Sequence, residues 1–165
     1  GRLGTPFGAD LYGIRPDLLT TAKALGGGFP CAALLMTDAL AADIGAGAMG
    51  STFGGGPLAC AAIKTVLEVI EEDNLLLQIQ EISAQIKKKC IRGPITSMQG
   101  AGFLIGLKTV PRAVSVRDAL LQKGILTGTS ADPHVLRLLP PLILEESHVD
   151  YLAQTLEELN SEPLQ

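Results

Sequence analysis

Hydrophobic and polar positions along the chain fall into blocks with different periods. Residues 1–16 are rich in Gly and Pro and read as loop. Residues 17–22 form a short strand or helical turn leading to Lys23, and Gly26-Gly27-Gly28-Phe29-Pro30 then forces a break. Cys31 to Met36 is a continuous apolar run, the pattern of a short buried strand. Thr37 and Asp38 are placed to cap a short helix through Ile44. A second glycine-rich stretch runs from Gly45 to Gly56. Pro57 sits where the first turn of a helix tolerates it, and Leu58, Ala62, Val66, Leu67 and Ile70 keep helical spacing. Asp73-Asn74 interrupts that period, and Leu75, Ile79, Ile82 and Ile86 resume it as a second helix or a kinked continuation.

Beyond that helix the pattern alternates. Phe103 to Leu107 predicts a strand behind the loop Gly100-Ala101-Gly102. Ser115 opens a helix with a capping-box pattern, Ser115-x-x-Asp118, and Gly124 ends it. Ile125-Leu126-Thr127 and Val135 to Leu139 are two more strand candidates, the latter stopped by Pro140-Pro141. Val149, Leu152, Leu156 and Leu159 mark a closing amphipathic helix. Strands alternating with helices predict an α/β or α+β module from residue 75 onward. The expected division is a first domain with a linking helix over residues 1–74 and a small α/β domain over residues 75–165.

Composition narrows the function classes. The chain has 165 residues, 47% apolar and 18% charged, which suits a packed core and argues against disorder. The net charge is −4, and the longest cationic run, Lys87-Lys88-Lys89, reads as a solvated helix face, so no nucleic-acid partner is expected. Cys31, Cys60 and Cys90 form no CxxC pair, and His134 and His148 are scattered, so neither a zinc site nor a disulfide framework is suggested. A reducing, cytoplasmic compartment fits this cysteine usage. No apolar run reaches bilayer length, and no signal-peptide pattern is present. The opening Gly1-Arg2-Leu3-Gly4-Thr5-Pro6 reads as the middle of a larger protein rather than as a processed terminus.

Three places can carry chemistry. Lys23 lies in Thr20-Thr21-Ala22-Lys23-Ala24-Leu25-Gly26, among small or apolar neighbours with no carboxylate within five residues. Buried there, its amine would be desolvated, its pKa lowered and its nucleophilicity raised, as carbonyl chemistry requires. By local composition alone the favoured reading is a surface lysine near a helix end, since most lysines are exposed. Gly50-Ser51-Thr52-Phe53-Gly54-Gly55-Gly56-Pro57 places two hydroxyls in a glycine-rich loop before a helix, either an anion-binding loop or a structural turn. It matches neither the P-loop nor the dinucleotide fingerprint. Arg137 is the one charge in Val135-Leu136-Arg137-Leu138-Leu139; it faces a polar cavity where its planar fork suits a carboxylate, or it is a structural ion pair or an edge-strand residue.

Taken in order, six segments resemble the class-III (fold type I) pyridoxal-phosphate aminotransferases, acetylornithine branch. Gly1-Arg2-Leu3-Gly4 resembles the Gly-Arg-Thr-Gly that follows the family's Asp-Glu-Val-Gln segment. Tyr12-Gly13-Ile14-Arg15-Pro16-Asp17 is similar to its His-Tyr-Gly-x-x-Pro-Asp element, with Leu11 in place of the histidine. Ala22 to Gly28 resembles its lysine signature. Gly50-Ser51-Thr52-Phe53-Gly54-Gly55 with Pro57-Leu58-Ala59-Cys60 resembles its second glycine loop. Gly100 to Gly106 resembles a glycine-led strand, and Arg137-Leu138-Leu139-Pro140-Pro141 the Arg-Leu-Leu-Pro-Pro-Leu of the acetylornithine branch.

The resemblance implies a partial large cofactor domain followed by a small carboxy-terminal α/β domain. It implies that Lys23 holds pyridoxal 5′-phosphate covalently and moves the substrate's α-proton. Thr52 would bind the cofactor phosphate of the partner subunit in a homodimer, Ser51 would lie at the substrate, and Arg137 would hold or gate a substrate carboxylate. The implied partners are an amino donor and a 2-oxo acid acceptor, with N-acetylornithine and 2-oxoglutarate of arginine biosynthesis as the leading pair. Ornithine, succinylornithine or 4-aminobutyrate as donor, or a non-catalytic fragment, are the alternatives. Two departures stand out besides Leu11: Gly56 replaces the family's usual Asn, and Glu145 stands where a capping Thr is usual, which predicts a weak start to the last helix unless Ser147 caps it. The family's amino-terminal half, with the aspartate that pairs with the pyridine nitrogen, has no counterpart in these residues, so the chain alone is expected to be a poor enzyme.

Overall fold

A computed structural model describes residues 1–159. In chain order the elements are α1 (Gly8–Leu11), β1 (Leu18–Ala22), a 3-10 turn (Lys23–Gly26), β2 (Ala32–Met36), α2 (Asp38–Ala41), α3 (Pro57–Glu72), α4 (Leu75–Lys89), β3 (Ile95–Ala101), β4 (Leu104–Thr109), α5 (Ala113–Gln122), β5 (Gly128–Thr129), β6 (Val135–Leu138) and α6 (Glu146–Glu158). They form two compact units, one of residues 9–74 and one of residues 1–8 with those from Leu75 onward. Residues 1–8 thus pack with the carboxy-terminal elements, although the sequence reading grouped them with residues 9–74.

The unit of residues 9–74 is an antiparallel β1–β2 pair, registered Leu18 to Met36 and Ala22 to Ala32, with α3 against the 3-10 turn. Pro57 occupies the first turn of α3, where its missing N–H costs nothing. Among its described residues only Gly26 is buried. The run Cys31 to Met36, read as a buried strand, is therefore a strand with exposed and half-buried positions. A two-stranded pair with one long helix offers too little surface to bury both of its faces. α2 ends at Ala41, short of Ile44, and Thr37 at its N-cap makes no side-chain cap hydrogen bond.

The other unit holds the core. β3, β4, β6 and β5 form a four-stranded antiparallel sheet in that order. Ile79, Ile82 and Ile86 of α4, Val116 and Leu120 of α5, and Val149, Leu152 and Leu156 of α6 pack with Phe103, Ile105, Leu107 and Leu136 of the sheet and its β3–β4 turn. The helical periods of α4 and α6 account for this directly, since residues three and four apart share a face. Cys90 is buried in the same core, and burial pushes its thiol pKa up to about 11.

Three expectations about helix starts and strands are corrected. α5 begins at Ala113, so Ser115 is inside the helix, and the N-cap is Arg112 without a side-chain bond. Glu145 itself caps α6: its side chain accepts from the backbone of His148, and its own N–H donates to His148 Nδ1 at 3.2 Å. A carboxylate is also favoured at a helix start by the helix dipole. Residues 125–127 are not a strand; β5 lies one residue further on and pairs Gly128 with Arg137. The lysine run is not a uniformly solvated face either: Lys89 bridges Glu146 at 2.7 Å and Asp150 at 2.5 Å, tying α4 to α6.

Candidate functional site

Lys23 stands at the joint between β1 and the 3-10 turn, in the left-handed region at φ 57°. For a non-glycine residue this conformation is uncommon and costs about 1 kcal/mol or more, so surrounding structure holds it. The hold comes from the β1–β2 pairing on one side and the turn hydrogen bond Gly27 N–H to Ala24 O at 3.1 Å on the other. Two open cavities flank the residue. One, of about 460 Å³, is lined by Lys23, Ala24, Gly28, Phe29, Pro30 and Cys31. The other, of about 470 Å³, includes Lys23 with Thr20, Thr21 and Ala33. Among the described residues nothing pairs with the amine. The desolvated lysine anticipated from its neighbours is not found within this chain, since Lys23 is exposed.

Ser51 and Thr52 lie in the turn before α3, closed by Gly54 N–H to Ser51 O at 3.1 Å. Both are exposed, and the adjacent Phe53 is 91% exposed. Their hydroxyls stand just ahead of a 16-residue helix whose N-cap, Gly56, contributes no side chain, so the site can take an anion. Neither residue lines either cavity at Lys23.

Arg137 belongs to the other unit. It sits on β6, exposed, with Gly106 of β4 on one side and Gly128 of β5 on the other. A Cβ at Gly128 would come within 3.2 Å of the guanidinium, so the planar group lies over a bare backbone there. Arg137 lines a cavity of about 640 Å³ whose walls are mostly apolar, among them Ile125, Leu138, Pro141, Leu144 and Leu152. The polar cavity inferred from the cost of burying a lone arginine is thus mainly apolar, and exposure rather than pairing meets the charge's need for solvation. Among the described residues no carboxylate pairs with it.

Sequence reasoning missed three polar residues of that cavity, Thr127, His148 and Tyr151. Thr127 Oγ1 is buried without a hydrogen-bond partner among the described residues. His148 and Tyr151 are three apart on α6, beside the buried Val149 and Leu152, and that spacing was the available signal. Arg2 was quoted only as part of a motif. Its guanidinium donates to the Pro140 carbonyl, three residues beyond Arg137.

These residues fit pyridoxal phosphate in part: an unpaired lysine amine held at a fixed backbone joint beside open space, and a hydroxyl pair at a helix start for a phosphate. Among the described residues no group of metal-ligating side chains is present. No helix among them is long and apolar enough to cross a membrane.

Comparison with known proteins follows the same lines. The family model described as "Aminotransferase class-III" matches residues 1–159. The chain is 38% identical to the acetylornithine aminotransferase of Methanocaldococcus jannaschii, over 98% of this chain and 42% of the relative. It is 40% identical to acetylornithine aminotransferase 1 of Bradyrhizobium diazoefficiens, over 91% of this chain and 38% of the relative. Among solved structures, acetylornithine aminotransferase from Elizabethkingia anophelis superimposes with a TM-score of 0.85 at 27% identity, covering 97% of this chain and 44% of the other. The ornithine aminotransferase from Toxoplasma gondii gives the same TM-score at 26% identity, over 97% of this chain and 40% of the other. The chain therefore spans about two fifths of the length of the relatives it matches.

Proposed function

We propose that this chain, which belongs to the class-III aminotransferases, is the portion of a pyridoxal-phosphate enzyme that supplies the cofactor lysine, Lys23, for transamination between N-acetylornithine and 2-oxoglutarate in the cytoplasm. The observation that carries this is Lys23 itself, unpaired, between open cavities at a strained joint. Bound pyridoxal phosphate supplies an electron sink for the substrate α-carbon. Lys23 would hold it covalently through Nζ, and the same Nζ would take and return the substrate's α-proton. Thr52 donates a hydroxyl to the phosphate of the neighbouring subunit in a homodimer, and Ser51 lies at the substrate. Arg137 binds a substrate carboxylate through its planar fork. Identities of 38% and 40% to acetylornithine enzymes favour that donor. Ornithine is the second reading, favoured by the equal structural likeness to an ornithine aminotransferase.

Residues 9–74 are taken as the end of the large cofactor domain with its linking helix, and those from 75 as the small domain. The isolated chain is inactive on this reading, because Lys23 is exposed and its unit buries no apolar side chain among the described residues. The test completes the subunit by substituting this chain for the matching 42% of the Methanocaldococcus jannaschii relative. Transamination of N-acetylornithine is expected in the completed subunit and not in the isolated chain. Lys23→Ala and Thr52→Ala subunits, each impaired alone, should recover activity when mixed, since one site of the mixed dimer carries neither defect. Activity in the Lys23→Ala homodimer would reject the lysine's role. No recovery between subunits shown to exchange would place Thr52 in its own subunit's site.

A further inference from the structure

The Gly1-Arg2-Leu3-Gly4 segment has no part in the function proposed above, yet its backbone is fixed on several sides. Phe103 N–H donates to Arg2 O at 2.8 Å, anchoring the segment to the β3–β4 turn. A Cβ on Gly102, at φ 51°, would lie 2.5 Å from Leu3 Cα, so the two backbones touch with no side chain between them. Gln80 Nε2 of α4 donates to Gly4 O at 2.6 Å, and Gly4 N–H closes a turn on Gly1 O at 2.9 Å. Arg2 is therefore mounted on a rigid post. From it the half-buried guanidinium reaches the Pro140 carbonyl, and desolvation there lowers its pKa from the ordinary value.

Pro140 matters because of where it stands. β6 ends at Leu138, and the chain leaves it through Leu139-Pro140-Pro141. The residues that end β6 are also walls of the cavity that Arg137 lines. Pro141 has no N–H, and Pro140 has none either, so this exit makes few backbone hydrogen bonds of its own. The turn Leu144 N–H to Pro141 O, at 3.2 Å, is one that remains. Donors from outside the strand supply the rest: Arg2 Nη1 donates to the Pro140 carbonyl, and Gln78 Nε2 donates to Leu144 O at 3.0 Å.

We propose that Arg2 is a positioning residue: by holding the Pro140 carbonyl it fixes the β6 exit and thereby the aim of Arg137 toward a substrate carboxylate. This rests on the carboxylate role of Arg137 given above. A lysine at position 2 would keep the charge but present a single flexible ammonium in place of the rigid fork.

Two readouts test it. In the 165-residue chain, amide exchange at Leu144 is expected to quicken about ten-fold in Arg2→Ala while the core amide of Leu107 is unchanged, with partial restoration in Arg2→Lys. In the completed subunit, Arg2→Ala should raise KM for 2-oxoglutarate about ten-fold with kcat altered less than about two-fold. Arg137→Ala should raise KM at least as much, and the double substitution should add nothing further. Unchanged exchange at Leu144 overturns the positioning role. So does an Arg2 effect that multiplies with that of Arg137, or a general loss of protection that includes Leu107. If Arg137→Ala leaves KM unchanged, the carboxylate reading fails and the positioning role falls with it, a result distinct from failure at Arg2 alone.

Discussion

At the scale of single residues, the ion pairs that join α4 to α6 are only partly exposed, and their worth depends on pH. Hydrogen bonds to Asp150 and Glu146 raise the pKa of Lys89, and the bond to Lys89 holds Glu146 below its ordinary value. A lowered carboxylate pKa stabilises the fold above the unfolded value, about 4.3 for Glu, and that contribution is lost as pH falls through the lower folded value. The raised lysine contributes below about pH 10.4 and loses its contribution as pH rises through its folded value. Lys89→Met should therefore lower the urea midpoint at neutral pH by a small margin that shrinks toward both extremes. A margin constant from acid to alkaline pH would show that the lost contribution was packing of the lysine stem. Lys89 was illegible in sequence because its partners are 57 and 61 residues away. Glu145 misled for a different reason: its cap depends on His148, and a Glu-His reciprocal cap has none of the usual Ser or Thr signal.

Whole elements differ sharply in how much they bury. Leu107 of β4 is fully buried, whereas Leu58 of α3 is 72% exposed. Leu107→Ala should destabilise the 165-residue chain by roughly 2–5 kcal/mol, from lost transfer energy and a residual cavity. Leu58→Ala should change it by less than about 0.5 kcal/mol, as at other surface sites. Equal losses in urea denaturation would contradict the assignment of the core to the elements from Leu75 onward. The same contrast explains which elements could be read in advance. α4 and α6 carry apolar residues at helical spacing because one face of each is buried, and both were legible. β3 was not, because only Ile95 of its seven residues is fully buried and Thr-Ser-Met-Gln-Gly shows no alternation. β5, two residues long, is set by its pairing with β6 and not by its own side chains.

For the molecule as a whole, the four candidate residues named from the motifs are distributed over two units. Lys23, Ser51 and Thr52 lie in residues 9–74, and Arg137 lies in the other unit. What could not be read was exposure. The apolar positions Leu18, Leu34, Phe53 and Leu58 remain exposed, as Lys23 in the same unit does. The chain spans about two fifths of its relatives' length and carries the family's motifs with departures at Leu11 and Gly56. The central assignment is that of Lys23, and borohydride trapping with pyridoxal phosphate tests it most directly. The completed subunit is reduced, digested and mapped by mass spectrometry. The expected result is one modified peptide carrying Lys23, absent from Lys23→Ala. Label that persists in Lys23→Ala, or that settles instead on Lys64, Lys87, Lys88, Lys89, Lys108 or Lys123, would contradict it.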